Sequence, residues 1–168
     1  MSQGKVLQAD RSGVYILKLV GEIRLNSCSS IDSVIDAISK SKNFCSLVVD
    51  LSETEHLDST TLGMLAKLAV KAKENSRFLP SIVSTNPDIT RLLDSMGFEC
   101  IFLIVDQPLQ NGENLQELSP VQLDEHEMHD KVLNAHKVLM DLNENNRETF
   151  RDLVDALEGN EAMAVKAS

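Results

Sequence analysis

Tryptophan is absent from the 168 residues, and aromatic side chains make up only 4% of them. The core is therefore expected to be built on Leu, Ile, Val and Ala. Cysteine is scarce as well. Cys28, Cys45 and Cys100 are odd in number and widely spaced, which argues against a disulfide framework. No stretch approaches the roughly 18 consecutive apolar residues of a membrane span, and Met1 to Asp10 lacks the apolar run of a secretory signal. Positive charge is short: 16 Lys and Arg face 26 Asp and Glu, a net charge of −10. Nucleic acids and anionic membrane surfaces are both gripped by clustered basic residues, so neither is expected as a partner. Glycine-rich phosphate loops of the Gly-x-x-x-x-Gly-Lys or Gly-x-Gly-x-x-Gly kind are missing, so no nucleotide or other cofactor is expected. What is present is 42% apolar residues, enough for one domain with an appendage. A cytoplasmic location is expected.

The charge is distributed unevenly. Residues 1–110 hold 11 basic against 13 acidic side chains, whereas residues 111–168 hold 5 against 13. Such asymmetry marks two segments with different roles. The boundary falls in the polar stretch that includes Gln107, Pro108, Asn111 and Gly112. The division predicted is a first domain over 1–106, a linker over 107–119, an acidic helical extension over 120–159 and a flexible tail over 160–168.

Along the first unit, Lys5 to Asp10 and Val14 to Val20 read as two strands joined by a Gly-containing turn. Ile31, Val34, Ile35 and Ile38 form one helical stripe. Ser46 to Asp50 is a short β-branched run that suits a strand buried on both faces, and Leu51 to Leu57 reads as a loop. Asp58-Ser59 then precedes Leu62, Leu65, Ala66, Ala69 and Ala72 at helical spacing, an N-cap signal. Leu79 to Val83 reads as a strand. Pro87-Asp88 opens a third helix that Gly97 stops, and Ile101 to Val105 is a last strand. The order β-β-α-β-α-β-α-β gives an α/β fold with short crossovers.

The segment Asp50 to Gly63 carries the functional signal. It leaves the end of a buried strand and enters a helix N-terminus, the edge of an α/β sheet where ligands and partners dock. Phosphate on Ser59 would gain backbone N–H donors and add about −1.5 to −2 charge beside Asp58, Glu53 and Glu55. Repulsion would drive it outward into a docked partner. The plainer alternative is that Ser59 only caps the helix.

Val6 to Val105 resembles the STAS domain of anti-sigma factor antagonists. The resemblance rests on Leu47-Val48-Val49-Asp50-Leu51-Ser52, on Leu57-Asp58-Ser59 and on Leu62-Gly63. Gly21-Glu22-Ile23, Pro87-Asp88-Ile89, Leu92-Leu93 and Met96-Gly97 support it. It implies a mixed β-sheet with helices packed on one face, Ser59 as the phosphoacceptor, and partner switching. In that scheme the unphosphorylated form binds an anti-sigma factor and frees a sigma factor. A serine kinase, often the anti-sigma factor itself, reverses this, and a PP2C-type phosphatase resets it. One departure is Thr61, where many members have Gly; Thr60 and Thr61 become rival acceptors. The docking surface is expected to use Arg24, Asn26, Glu53, His56, Asp58, Ser59, Thr60 and Thr61.

In the second unit, Ser119-Pro120-Val121-Gln122 has the form of a capping box. Met128, Val132, Ala135, Leu139 and Leu142 follow as a narrow apolar seam. Asn145 with Glu148 suggests a second cap before Phe150, Leu153, Val154 and Leu157, and Gly159 an end. Helices this short must bury their stripes on each other, on the first unit or on another chain. The alternative functional reading is an oligomerising scaffold that uses residues 120–159, with Ser59 a passive cap.

Sharper chemistry is weaker. His126 and His129 have the spacing of zinc ligands, but both flank Met128 towards solvent, so no metal is expected. His56, Asp58 and Ser59 are the residue types of a hydrolase triad, but the glycines of a nucleophile elbow are replaced by Leu57 and Thr61. With no base in sequence to deprotonate Ser59, a non-enzyme is expected. Cys45 and Cys100 read as core thiols.

Overall fold

The computed structural model describes residues 3–107 and 114–167, with side chains through Gly159. The strand β1 (Lys5–Arg11) turns at Ser12 and Gly13 into β2 (Val14–Ile23). Both turn residues have positive φ, 55° and 93°, and Gly13 packs so closely on Asn43 that a Cβ would lie 2.2 Å from its carbonyl oxygen. The chain continues through α1 (Cys28–Lys40), β3 (Ser46–Leu57), α2 (Ser59–Glu74), β4 (Ser81–Val83), α3 (Pro87–Ser95) and β5 (Leu103–Val105). Then come β6 (Gln116–Leu118), α4 (Glu125–Met140) and α5 (Glu144–Ala167). The predicted element order of the first unit is found in full.

The sheet is six-stranded and mixed, in the order β5-β4-β3-β2-β1-β6. β1 is antiparallel to β2 and β6, whereas β2, β3, β4 and β5 run parallel. The core is aliphatic, as the shortage of aromatics implies: Leu17, Leu19, Ile31, Ile38, Val49, Leu65 and Ile82 are fully buried, with Phe98 and Phe102 stacked beside them.

Three boundaries differ from the sequence reading. The stretch Leu51 to Leu57, expected as a loop, extends β3 to Leu57. Only Val48–Asp50 have a β4 partner, so the upper half pairs with β2 alone and tolerates polar residues. Its register slips at Leu19, where the Thr54 hydroxyl donates to the Leu19 carbonyl at 2.7 Å. The predicted linker over 107–119 contains β6; its residues 108–113 lie outside the described residues. Finally, α5 does not stop at Gly159 but continues to Ala167, where a flexible tail was predicted over 160–168. A C-terminal glycine ends a helix by turning left-handed, and Gly159 does not do so.

The second unit folds back onto the first. α4 packs along α2, and α5 packs on α4. Its caps are not the predicted ones. Ser119 to Leu123 is not helical; Asp124 caps α4 by accepting the Glu127 N–H at 2.7 Å, and the Val121 N–H donates to Ser29 Oγ on α1. Asn143, not Asn145, caps α5, accepting the Asn146 N–H at 2.8 Å. Asn146 is buried and donates to the carbonyls of Met96 and Leu139 at 2.8 and 2.9 Å, tying α5 to the end of α3. The seam predicted on α4 is widened by the buried Leu133 and His136, because α4 is sandwiched between α2 and α5. On α5 Phe150 and Val154 are buried, whereas Leu153 faces outward.

Candidate functional site

The parallel pair β2–β3 delivers the chain to α2. Asp58 terminates the strand in extended backbone and accepts the Thr61 N–H through Oδ1 at 2.8 Å, so Asp58 is the N-cap of α2. Ser59 is then the first helical residue rather than the cap. The reading of Ser59 as a cap is thereby corrected. One of the N–H groups expected to receive a phosphate is also already taken by Asp58.

Ser59 is half-buried, and its Oγ lies 2.8 Å from Nε2 of His136 on α4. The other ring nitrogen, Nδ1, lies 2.7 Å from the Val132 carbonyl. A carbonyl can only accept, so Nδ1 carries the hydrogen, and in the neutral ring Nε2 accepts the Ser59 O–H. The imidazole is 2% exposed and meets Phe150 edge-on at 5.3 Å. This partner of Ser59 lies 77 residues away in sequence, and the seam pattern of α4 passes over it. The premise that Ser59 has no base beside it is corrected accordingly. The pair is nonetheless not a hydrolase triad: His136 is oriented by a carbonyl instead of a carboxylate, and His56 points elsewhere, exposed on β3.

One turn along α2, Gly63 lies against α4. A Cβ there would be 2.2 Å from the Ala135 carbonyl oxygen and 2.7 Å from the Ala135 Cβ. The glycine of the Leu62-Gly63 pair therefore sets the approach of α4 to α2, backbone against backbone. Beside this seam Lys131 of α4 pairs with Asp32 of α1, and Lys67 of α2 lies 3.8 Å from the same carboxylate. Cys28 is buried at the start of α1. Burial pushes its thiol up to about 12, and nearby Asp58 adds to the shift.

The other predicted docking residues divide into two sets. Arg24, Asn26, Glu53 and His56 are exposed, Arg24 paired with Glu22 and Glu53 with Lys18. Asp58 is half-buried. Thr60 and Thr61 are buried, at 7% and 0% exposure, which removes them from the open docking surface and from rivalry with Ser59 in this conformation. Among the described residues Thr61 Oγ1 has no hydrogen-bond partner. Cys45 and Cys100, expected in the core, are exposed. His126 is exposed near Asp130, His129 faces the Leu157 carbonyl at 3.0 Å, and no metal-ligand cluster occurs among the described residues. Nor is any described helix long and apolar enough to cross a membrane.

Residues 7–114 match the STAS domain family. The anti-sigma-F factor antagonist RsfB of Mycobacterium tuberculosis is 31% identical over 97 residues, 58% of this chain and 77% of that protein. An anti-sigma factor antagonist from Mycobacterium paratuberculosis has a similar structure, with a TM-score of 0.53 and 26% identity over 62% of this chain and 87% of that one. A putative anti-sigma factor antagonist from Thermotoga maritima shares the fold, with a TM-score of 0.51 and 22% identity over 60% and 85% of the two chains. The STAS match ends before α4 begins. The chain thus belongs to the STAS-domain anti-sigma factor antagonists, with the helices α4 and α5 added behind the family's domain.

Proposed function

We propose that this protein is an anti-sigma factor antagonist that acts by partner switching, with Ser59 as the switch. Unphosphorylated, it binds an anti-sigma factor and so releases a sigma factor for transcription. A serine kinase transfers a phosphoryl group from a nucleoside triphosphate to Ser59 Oγ. The O–P bond forms there as the donor's terminal P–O bond breaks and the hydroxyl proton leaves. The complex then dissociates, and a PP2C-type phosphatase restores the hydroxyl. A cytoplasmic location follows from the partners.

The observation that carries this reading is the position of Ser59. It follows directly on the Asp58 cap, at the first turn of α2 and the C-terminal end of β3, in a sequence setting that resembles the family's. Arg24, Asn26 and His56 are exposed at or just beyond the C-terminal ends of β2 and β3, where a partner would meet them, and Glu53 is exposed further down β3. A phosphate at Ser59 adds about −1.5 to −2 charge beside Asp58, enough to reverse the preference of an acidic or apolar docking surface. Against the scaffold alternative, the stripe of α4 is covered by α2 and α5 of the same chain.

The test compares capture of the anti-sigma factor by full-length wild type, Ser59→Ala and Ser59→Asp. Ser59→Ala is expected to retain the partner and Ser59→Asp to bind it more weakly, the aspartate carrying about half the phosphate charge. Equal capture by both variants would place the switch elsewhere.

A further inference from the structure

We infer that the α4–α5 hairpin is an internal cap on the switch surface. It occupies the face of α2 that carries Ser59, and it has to leave before a kinase or a partner can take its place. The inference rests on the proposed role of Ser59 and adds a layer of regulation to it.

Three contacts carry the argument. First, the only side-chain hydrogen bond described for Ser59 Oγ goes to His136 at 2.8 Å, and the ring is held in place by the Val132 carbonyl on one side and by Phe150 on another. A phosphoryl group replaces the proton that makes this bond and brings its bulk against a side chain that is 2% exposed. Second, Gly63 and Ala135 meet with backbone and Cβ in contact, so no side chain of a partner fits between α2 and α4. Third, the hairpin is fastened around the seam by polar bonds: Lys131 to Asp32, Asn146 to the Met96 carbonyl, and the Val121 N–H to Ser29. Such bonds are exchanged for water at small net cost when the hairpin lifts. Lys131 and Lys67, both beside the seam, already face the Asp32 carboxylate, whereas the hairpin as a whole is acidic and repels an added phosphate.

Two states follow: capped, with Ser59 bonded to His136, and uncapped, with α2 open. Kinase and partner both require the second, and a phosphate on Ser59 disfavours the first. Coupling of this kind is reciprocal. If the uncapped state is a minor one, the apparent affinity for a partner falls by its population.

Full-length wild type, Ala135→Arg and His136→Ala decide the matter, together with full-length protein carrying phosphoserine installed at position 59 during translation. Ala135→Arg forces α4 off Gly63 and leaves every residue around Ser59 native. Amide hydrogen exchange over Glu125–Met140 reads the cap, and titration with the anti-sigma factor reads the surface beneath it. Ala135→Arg is expected to deprotect α4 and tighten anti-sigma binding by about tenfold or more, with His136→Ala intermediate. Phosphoserine 59 is expected to deprotect α4 without any partner present. Deprotection by Ala135→Arg with unchanged or weaker binding would overturn the cap. So would an α4 that stays equally or better protected when position 59 is phosphorylated, which would mean that His136 clamps the phosphate. If no form bound an anti-sigma factor, the role proposed for Ser59 would fail, and the phosphoserine comparison would still decide the cap.

Discussion

The sheet with α1 and the hairpin α4–α5 are held by different chemistry. Around the sheet, branched and straight aliphatic side chains interlock: Leu17, Ile31, Ile38, Val49 and Leu65 are all fully buried in one continuous cluster. The hairpin adds Ala135, Leu139 and Phe150 to that cluster, with Val138, Met140 and Leu142 packed partly buried against it. Its described polar and small-residue attachments include a glycine against an alanine, a serine against a histidine, an ion pair and two asparagine side chains on the Met96 carbonyl. Close-packed aliphatic cores resist opening because every displaced methylene loses contacts and is rehydrated. Small residues and polar pairs bind with specific geometry at a lower cost of separation. The first kind of interface suits a scaffold, and the second suits an element that has to be released.

The largest effect that sharpens this contrast is a pair of truncations. Leu17→Ala and Leu139→Ala each remove a fully buried leucine and are each expected to cost about 2–5 kcal/mol. Their reach should differ. In hydrogen exchange Leu17→Ala is expected to deprotect β2 and β3, whereas Leu139→Ala should deprotect α4 and α5 and leave the sheet slow. Equal loss in the sheet for both would make the hairpin an inseparable part of the core.

Asn146→Ala comes next. It leaves the Met96 and Leu139 carbonyls without the amide that bonds them, an expected loss of about 1–3 kcal/mol. Thermal unfolding and proteolysis between α3 and α5 would register it; an unchanged melting temperature would show that the asparagine contributes nothing to docking.

The smallest effect is chemical. With burial pushing the Cys28 thiol up to about 12, its thiolate is depleted at every pH below 12, and burial blocks access as well. At pH 8 an alkylating reagent is expected to modify the exposed Cys45 and Cys100 and to spare Cys28 in the capped protein. Rapid labelling of Cys28 under those conditions would contradict the packing of α1 beneath Asp58.

Local signals made most of the first domain legible. Period-three-and-four apolar stripes gave α1 and α2, and Pro87 and Gly97 bracketed α3. The cap signal at Asp58-Ser59 located the start of α2 to the residue. The upper part of β3 was not legible, because Ser52 to His56 alternates imperfectly and gains strand geometry only by pairing with β2 through a bulge. The true caps of α4 and α5 were masked by better-looking ones at Ser119 and Asn145, since the positions at which the hairpin meets Ser29 and Met96 decide where its helices begin. His136 was invisible for the same reason. Nothing in its neighbours marks it out; only the docking of α4 on α2 brings it to Ser59.

The central claim concerns one hydroxyl group, and mass spectrometry on protein isolated from its native cells across growth states tests it most directly. The account predicts a phosphate at Ser59 in a fraction that changes with growth state, and none at the buried Thr60 or Thr61. A Ser59 that is never modified in any state would contradict it.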